Sequence, residues 1–379
     1  MATKRPRRGR GEGSVYQRKD GRWSASLYLE NGKRKTVYGR TRKEAYEKLQ
    51  KTLLEQRQGL LATGPKQTVK QYMEYWLEHV HKQSLRLNSY VKVRELLDLH
   101  ILPALGHLQV QKMTIQHIQA FYSGLQEKLS ASRVRFIHST LHSALDDAVR
   151  TGLVAKNVCD SVTLPRLVKR EMQALTPEQA RRVVEAAQGG RMEALLLLAL
   201  TTGMRRGELL GLKWEDITLD EHNGSLQIRR SMTRVAGHGV VTSEPKTASS
   251  KRKIALSLYV VGVLKEHRVH QLEMRLKAGS KWTEHDLVFC NVYGNFLHPA
   301  RLYLLFHKVL ADAGVPHIRF HDLRHSAATI LLSMGVNVKV VQEILGHSRI
   351  SMTLDTYSHV LPGMQEEAVE KISGLFQQS

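Results

Sequence analysis

The stretch that decides the reading of this chain runs from His321-Asp322-Leu323-Arg324-His325, through Leu345-Gly346-His347-Ser348-Arg349, to Asp355-Thr356-Tyr357. The imidazoles of His321 and His347 and the guanidiniums of Arg324 and Arg349 precede a tyrosine that stands ten positions beyond His347. His321 and Arg324 are three apart, so they share a face if a helix begins at this point. Asp322 then falls near that helix start, where a carboxylate is favoured by the dipole. Val340-Val341-Gln342-Glu343-Ile344-Leu345 reads as an amphipathic helix ended by Gly346. Ile350 to Thr356 forms a short Ser/Thr-rich element that leads to Tyr357. Cations and imidazoles around a tyrosine suit attack on a phosphodiester. The attacking oxygen loses a proton, the phosphate gains compensating charge, and the leaving oxygen is reprotonated.

Working outward, two upstream motifs supply further cations. In Thr202-Gly203-Met204-Arg205-Arg206-Gly207-Glu208, an apolar helix ends near Thr202 and Gly203 provides the turn. Arg205 falls at a helix-to-helix corner, and Glu208 is placed to pin an arginine or cap a helix. Taken alone, this motif reads as a surface salt bridge. In Ser243-Glu244-Pro245-Lys246-Thr247-Ala248-Ser249-Ser250-Lys251-Arg252-Lys253, the small residues follow a strand-like Ser225 to Arg230 and precede Ile254-Ala255-Leu256. That pattern reads as a hairpin, and a Lys at a hairpin tip can enter a groove and deliver a proton; taken alone, the segment is only a basic loop.

The bulk composition agrees with a nucleic-acid partner. The 379 residues carry a net charge of +22, so a polyanion is expected as partner, with nucleic acid ahead of an acidic membrane surface. No run approaches the ~18 apolar residues of a membrane span, and Ala194 to Leu200 reads as a buried helix. The basic N-terminus is followed by no apolar segment, so no signal peptide is expected. The two cysteines, Cys159 and Cys290, lack Cys-x-x-Cys spacing and read as small buried hydrophobes in a reducing cytoplasm.

Half of the net charge lies in the first sixth of the chain, where residues 1–60 hold 17 Lys/Arg against 6 Asp/Glu. Lys4-Arg5-Pro6-Arg7-Arg8-Gly9-Arg10 reads as a basic arm. Three strand-like runs follow, Ser14 to Gln17, Arg22 to Glu30 and Lys33 to Tyr38, separated by Asp20-Gly21 and Asn31-Gly32. In the second run Trp23, Ala25, Leu27 and Leu29 alternate with polar neighbours. Thr41 with Glu44 predicts a capping box opening a helix with Ala45, Leu49 and Leu53 on its apolar face. One sheet face would carry Arg and Lys to a DNA groove.

Gly59 to Lys66 reads as a linker, and helical patterns run from Thr68 to about Pro165. Tyr72, Tyr75, Trp76 and His79 are spaced for one face, and Leu96 to Leu102 runs into Pro103, which ends or kinks the element. Thr114 opens another helix, and Ser130 to Val149 a further one, giving a four- or five-helix bundle. Arg86, Lys92, Arg94, Arg133, Arg135 and Arg150 are its expected DNA face, the alternative being a solvated helix surface. Val162 to Gln173 is a second linker, after which Thr176-Pro177-Glu178-Gln179 caps a new domain's first helix. The expected fold is therefore multidomain and mainly α with small β elements (α+β). It divides into an N-terminal three-stranded sheet plus helix (residues 1–62), a central helical bundle (67–165) and a C-terminal mixed, mostly helical domain (172–379).

With these motifs in view, the chain resembles the tyrosine recombinases, specifically the integrases of temperate phages and conjugative elements. The resemblance covers essentially the whole chain. It places all six positions of the family's active site in order: Arg205, Lys246, His321, Arg324, His347 and Tyr357. Arg349 answers to no position of that set. The resemblance implies attack by Tyr357 to form a 3′-phosphotyrosyl link, with Arg205 and Arg324 neutralising the phosphate. It implies that His321 assists proton transfer, His347 bonds a nonbridging oxygen, and Lys246 is the general acid. It further implies a homo-tetramer on double-stranded DNA with core and arm sites, and an excisionase or DNA-bending protein as an accessory partner. Neither cofactor nor metal is expected, since no Gly-x-x-x-x-Gly-Lys-Ser/Thr loop or acidic metal cluster is visible. The final segment, Glu366 to Phe376, reads as an amphipathic helix that packs on its own domain or on a neighbouring subunit. Two rival readings stay open: a DNA-binding module without catalysis, and a type IB topoisomerase.

Overall fold

The sheet at the N-terminus forms where alternation and turn residues place it. A computed structural model of the chain describes residues 13–28, 34–57, 64–168, 173–244 and 251–357, with residues 369, 372, 373 and 376. The side chains of residues 55, 57 and 355–357 are outside that description, as are the basic arm, the Asn31-Gly32 turn and most of Glu366 to Phe376. By packing, the chain divides into two compact units, Met1–Lys169 and Arg170–Ser379.

In the first unit, β1 (Ser14–Gln17), β2 (Trp23–Tyr28) and β3 (Arg34–Gly39) make an antiparallel sheet in the order β1-β2-β3. At the first turn Gly21 has φ +80°, which only glycine adopts cheaply, and its N–H reaches the Arg18 carbonyl at 3.0 Å. Ala25 and Leu27 face α1 (Arg42–Arg57) and form a small core with Ala45 and Leu49. Thr41 caps α1 by accepting the Glu44 N–H at 3.1 Å. The other half of the expected box differs, because the Glu44 carboxylate accepts from the Arg40 N–H at 2.8 Å instead of from that of Thr41. The opposite sheet face also departs from expectation. The cross-strand register puts Tyr16, Ser24, Ser26, Tyr28, Arg34, Thr36 and Tyr38 on it, so aromatic rings and hydroxyls outnumber cations there.

The bundle forms a second core. It comprises α2 (Val69–Tyr75), α3 (Leu87–Leu96), α4 (Leu102–Leu105), α5 (Ile115–Gln126) and α6 (Ala131–Arg150), with Trp76, Tyr122, Ile118, Leu141 and Leu145 among its buried residues. Tyr72 and Trp76 are buried as expected, but Tyr75 and His79 are exposed, since Val69, Met73 and Leu77 complete the inward face. Pro103 does not end its element. A π-turn over Leu97–Ile101 precedes it, and the proline sits in the first turn of α4, where its missing N–H costs nothing. Both supposed linkers are tied down at their described ends. Gly64 donates to the Gly152 carbonyl at 3.2 Å, and the Thr163 N–H donates to Gln119 at 2.9 Å. The expected basic face is partly committed, because Arg94 pairs with Glu78 at 2.7 Å, Arg135 binds the Pro165 carbonyl, and Arg150 pairs with Asp147. Arg86 and Lys92 are exposed. His142 is clasped between Asp146 at 3.1 Å and Asp160 at 2.8 Å, a grouping invisible in sequence because Asp160 arrives on a separate 3-10 turn. Both imidazole nitrogens are thus taken by carboxylates.

The second unit is built around α8 (Glu193–Thr202), buried on nearly every side and packed by α7 (Pro177–Ala187), α10 (Leu258–Ala278) and α12 (Asp322–Ser333). Thr176 and Gln179 exchange the two expected capping bonds at 3.2 and 3.0 Å. The described strands are β4 (Ile217–Thr218), β5 (Ser225–Gln227) and β8 (Lys253–Ala255) in one sheet, with a hairpin of β6 (Ser231–Val235) and β7 (Gly239–Ser243). The strands that flank the expected hairpin, β5 and β8, do pair antiparallel, with Leu226 opposite Ile254; the β6–β7 hairpin, with Ala236-Gly237-His238 at its tip, lies between them in sequence, and Lys246, between β7 and β8, is outside the described residues. The unit is completed by α9 (Arg206–Leu210), α11 (Pro299–Asp312), α13 (Val338–Leu345) and α14 (Ile350–Tyr357). Cys159 and Cys290 are both buried and free. Among the described residues, no helix is long and apolar enough to cross a membrane.

Candidate active site

The site is organised by the corner between α8 and α9. The apolar run Ala194 to Leu200 drives α8 into the core, and Gly203 ends it with φ +59°. A Cβ at Gly203 would lie 2.4 Å from Leu345 Cδ2 and 3.8 Å from Arg324 Cγ, so the glycine permits α8, α12 and α13 to meet. Arg324, 4% exposed, donates from Nη1 to the Gly203 carbonyl at 2.7 Å. Two residues after Gly203, Arg205 caps α9. Its N–H and its Nη1 bind the two oxygens of Glu208 at 2.9 and 2.8 Å, and its Nη2 reaches the Gly346 carbonyl at 3.4 Å. The Arg205 side chain keeps 37% of its surface exposed, enough to meet a ligand.

The segment His321-Asp322-Leu323-Arg324 opens α12 as the spacing predicts. Asp322, buried in the first turn, accepts from the Arg319 N–H, Nε and Nη2 at 2.9, 3.0 and 2.8 Å. Burial would raise its carboxyl, but these bonds hold it below the usual range. That clamp sets the start of α12 and with it the direction of His321 and Arg324.

Gly346, with φ +68°, ends α13 and delivers His347. The His347 N–H donates to the Gln342 carbonyl at 3.1 Å, while Gln342 Nε2 donates to the His347 carbonyl at 2.8 Å. On the ring, Nδ1 lies 2.9 Å from the hydroxyl of buried Thr353 on α14. With that hydroxyl donating, the neutral ring carries its proton on Nε2.

Electrostatics keep both imidazoles neutral at pH 7. Burial first, then Arg324, Arg205 and Arg252, push His347 down to about 4. His321 is solvent-exposed as a residue, yet lost hydration of its ring, then His325 and Arg324, lower it to about 4 against the opposing pull of Asp322. The Glu208 carboxyl would be raised by burial, but Arg252 and Arg205 hold it below its ordinary value. The result is a cationic, partly dry corner with two neutral ring donors or acceptors, suited to an anion with transferable protons.

Residues 173–364 match the model of the phage integrase family, and residues 68–126 match the phage integrase N-terminal SAM-like domain. A tyrosine recombinase XerC-like protein of Caldanaerobacter subterraneus subsp. tengcongensis is 34% identical over 372 residues, covering 92% of this chain and 94% of the relative. This chain belongs to the phage integrase family. It is a tyrosine-type site-specific recombinase. The ICEBs1 integrase of Bacillus subtilis is 28% identical, covering 76% of this chain and 78% of the relative. Among solved structures, the Tn1549 transposon integrase in complex with a circular intermediate DNA superposes with TM-score 0.68 at 21% identity, over 80% of this chain and 99% of that one. A lambda integrase dimer bound to a core site gives 0.57 at 17% identity, over 90% and 94%. At these identities the two structures speak for the fold alone.

Of the six expected site residues, the integrase brings Arg205, Arg324 and His347 to the one corner, with His321 beside Arg324 at the start of α12. Tyr357 is the last residue of α14, two turns after the helix start, and its side chain is outside the described residues. Lys246 is outside them entirely. Arg349 is exposed. Sequence reasoning missed Thr353 and Arg252. For Arg252 a signal existed: in the alternation Lys251-Arg252-Lys253-Ile254 it shares a face with apolar Ile254, and both are buried while the lysines are exposed. For Thr353 no signal existed, since only the fold of α14 against α13 brings it to His347.

Proposed function

We propose that this integrase cuts and rejoins DNA through Tyr357, with Arg205, Arg324, His321, His347 and Lys246 as its catalytic partners. The observation that carries the reading is the corner where two anchored guanidiniums stand beside two neutral imidazoles. Planar guanidiniums match phosphate oxygens, and their prior anchoring lets them stabilise charge without rearrangement. Tyrosine has a pKa of about 10 in water, so its hydroxyl must give up a proton as it attacks. His321, neutral at pH 7, is free to take it. His347, with Nε2 protonated, donates to a nonbridging oxygen. Lys246 protonates the 5′-oxygen that leaves. The bond energy is kept in a 3′-phosphotyrosyl link, so rejoining needs no external energy source.

The three-part division at residues 1–62, 67–165 and 172–379 belongs to the same proposal, as do arm-site binding by the N-terminal sheet and core-site binding by the bundle. The separate cores of the sheet module, the bundle and the C-terminal unit support it. The working form is a homo-tetramer on two DNA sites, assisted by an excisionase or DNA-bending protein. Exposed Val369, Ile372 and Phe376 in the final segment support a contact with a neighbouring subunit. Tyr357→Phe tests the central step. On a nicked suicide duplex carrying the element's attachment core, this variant should bind as wild type and form no covalent protein–DNA adduct. An adduct that survives the change removes Tyr357 as nucleophile, and relaxation of DNA lacking any attachment site would favour a topoisomerase.

A further inference from the structure

Arg252 is a buried cation that none of the proposed chemical steps uses. It is 8% exposed and immediately precedes β8. Its Nη2 and Nη1 meet the Glu208 oxygens at 3.1 and 3.5 Å. Those are the same two oxygens that receive the Arg205 N–H and Nη1. Its Nε donates to the Ile344 carbonyl at 2.6 Å, in the last turn of α13. Arg205 reaches the Gly346 carbonyl two residues further on. One carboxylate and one helix C-terminus are thereby shared by two guanidiniums, and a positive group is favoured at such an end. The geometry links three elements that are far apart in sequence: α9 with Arg205, β8, and the α13 terminus that delivers His347.

We infer that Arg252 is a positioning residue for strand cleavage, holding Glu208 as the fixed rest for Arg205 and holding the end of α13 so that His347 stays in register with it. The inference rests on the reading of Arg205 and His347 as catalytic groups. Arg252 itself is too buried to serve a phosphate, and acts through its neighbours. A lysine there would keep the charge opposite Glu208 but could not also fork to the Ile344 carbonyl.

Single-turnover cleavage of the nicked attachment-core duplex tests it, with rate constant, burst amplitude and core-site affinity measured separately. Arg252→Lys should lower the rate constant about tenfold and Arg252→Met about a hundredfold, each at full amplitude and with affinity within about threefold of wild type. A merely structural role would instead lower the amplitude, leaving the rate constant of the folded fraction unchanged. Because Arg252→Met strands a buried carboxylate, Arg252→Met with Glu208→Gln serves as its folded counterpart, and should remain as slow. Wild-type rate constants in Arg252→Lys and in that double variant would overturn the inference. Arg205→Ala is the control that separates the two readings. If it cleaves at the wild-type rate, the active-site reading falls; if it is slow while the Arg252 variants are not, only the role of Arg252 falls.

Discussion

On the outer face of the β1–β3 sheet, exposed Arg34 bonds only to hydroxyl groups among the described residues, Ser26 at 2.9 Å and Tyr16, and Tyr16, Tyr28 and Tyr38 are exposed. In the C-terminal unit, Arg205 and Arg252 divide a single carboxylate that is 4% exposed, and Arg324 is fastened to a main-chain carbonyl. Both regions are basic, but their cations are restrained to different degrees. An exposed, adaptable cation adds affinity for a polyanion and does so in a salt-dependent way. A guanidinium whose direction is set before the ligand arrives can favour the transition state over the bound ground state. On the proposed function, the contrast divides labour between the regions: the sheet would hold DNA, and the corner would act on it.

The contrast breaks if the anchored arginines prove to be binding groups. Arg205→Ala should slow single-turnover cleavage by about 10²–10³-fold, the usual cost of one oxyanion-type donor, with core-site affinity changed far less. Equal losses in rate and affinity would put Arg205 in the same class as the sheet cations.

A smaller loss is expected from Gly203→Ala, which touches no reacting group. Its Cβ would meet Leu345 Cδ2 at 2.4 Å in a left-handed conformation that costs a non-glycine residue about 1–2 kcal/mol. Cleavage should fall by about tenfold or more, with binding to an isolated arm site unchanged. Wild-type cleavage would show that the close meeting of α8, α12 and α13 is not needed to set Arg324.

Smaller again is the pH effect. The His347 ring has a folded pKa of about 4, against about 6.5 in an unfolded chain. The unfolded state thus binds more protons between these values. The stability contribution is complete above about pH 6.5 and is lost as pH falls toward 4. His347 should dominate over exposed His321, whose charge is screened by water. Urea unfolding of the DNA-free protein at pH 7 and pH 4.5 should show this loss, and His347→Gln should reduce it. An identical pH dependence in the two proteins would refute the dry environment assigned to the ring.

The least effect is expected at the sheet. Arg34→Ala should leave folding nearly intact and cleavage of the core duplex unchanged, while lowering the slope of log affinity against log salt for an arm-site duplex by about 0.9, one released counterion. An unchanged slope would mean that the tyrosines and hydroxyls of that face, and not its cation, make the contact.

How much of this was legible depends on the kind of signal. The caps at Thr41, Thr114 and Thr176, the stop at Gly203 and the turn before His347 were all readable, because each is enforced within a few residues of chain. So was the pairing of Glu208 with Arg205, three positions apart on one helix start. The continuation of the helix past Leu102 was ambiguous, because a π-turn accommodates Pro103 through packing that no local pattern announces. The β6–β7 hairpin was passed over in favour of a single turn at Lys246, although Gly237 and Gly239 between two β-branched runs mark it.

By itself, the sequence determined the α+β class, the excess of positive charge and the ordered set of motifs that identifies a recombinase. These follow from periodicity, turn chemistry and residue type, all of which act over short spans. Tertiary structure alone decided that Arg252 shares Glu208 with Arg205, that Thr353 sets the ring of His347, and that Gly203 lets three helices close around Arg324. Those contacts join residues separated by up to 142 positions, as Leu345 is from Gly203. Pairing at such range is selected by the packing of whole elements and leaves no local trace in the chain.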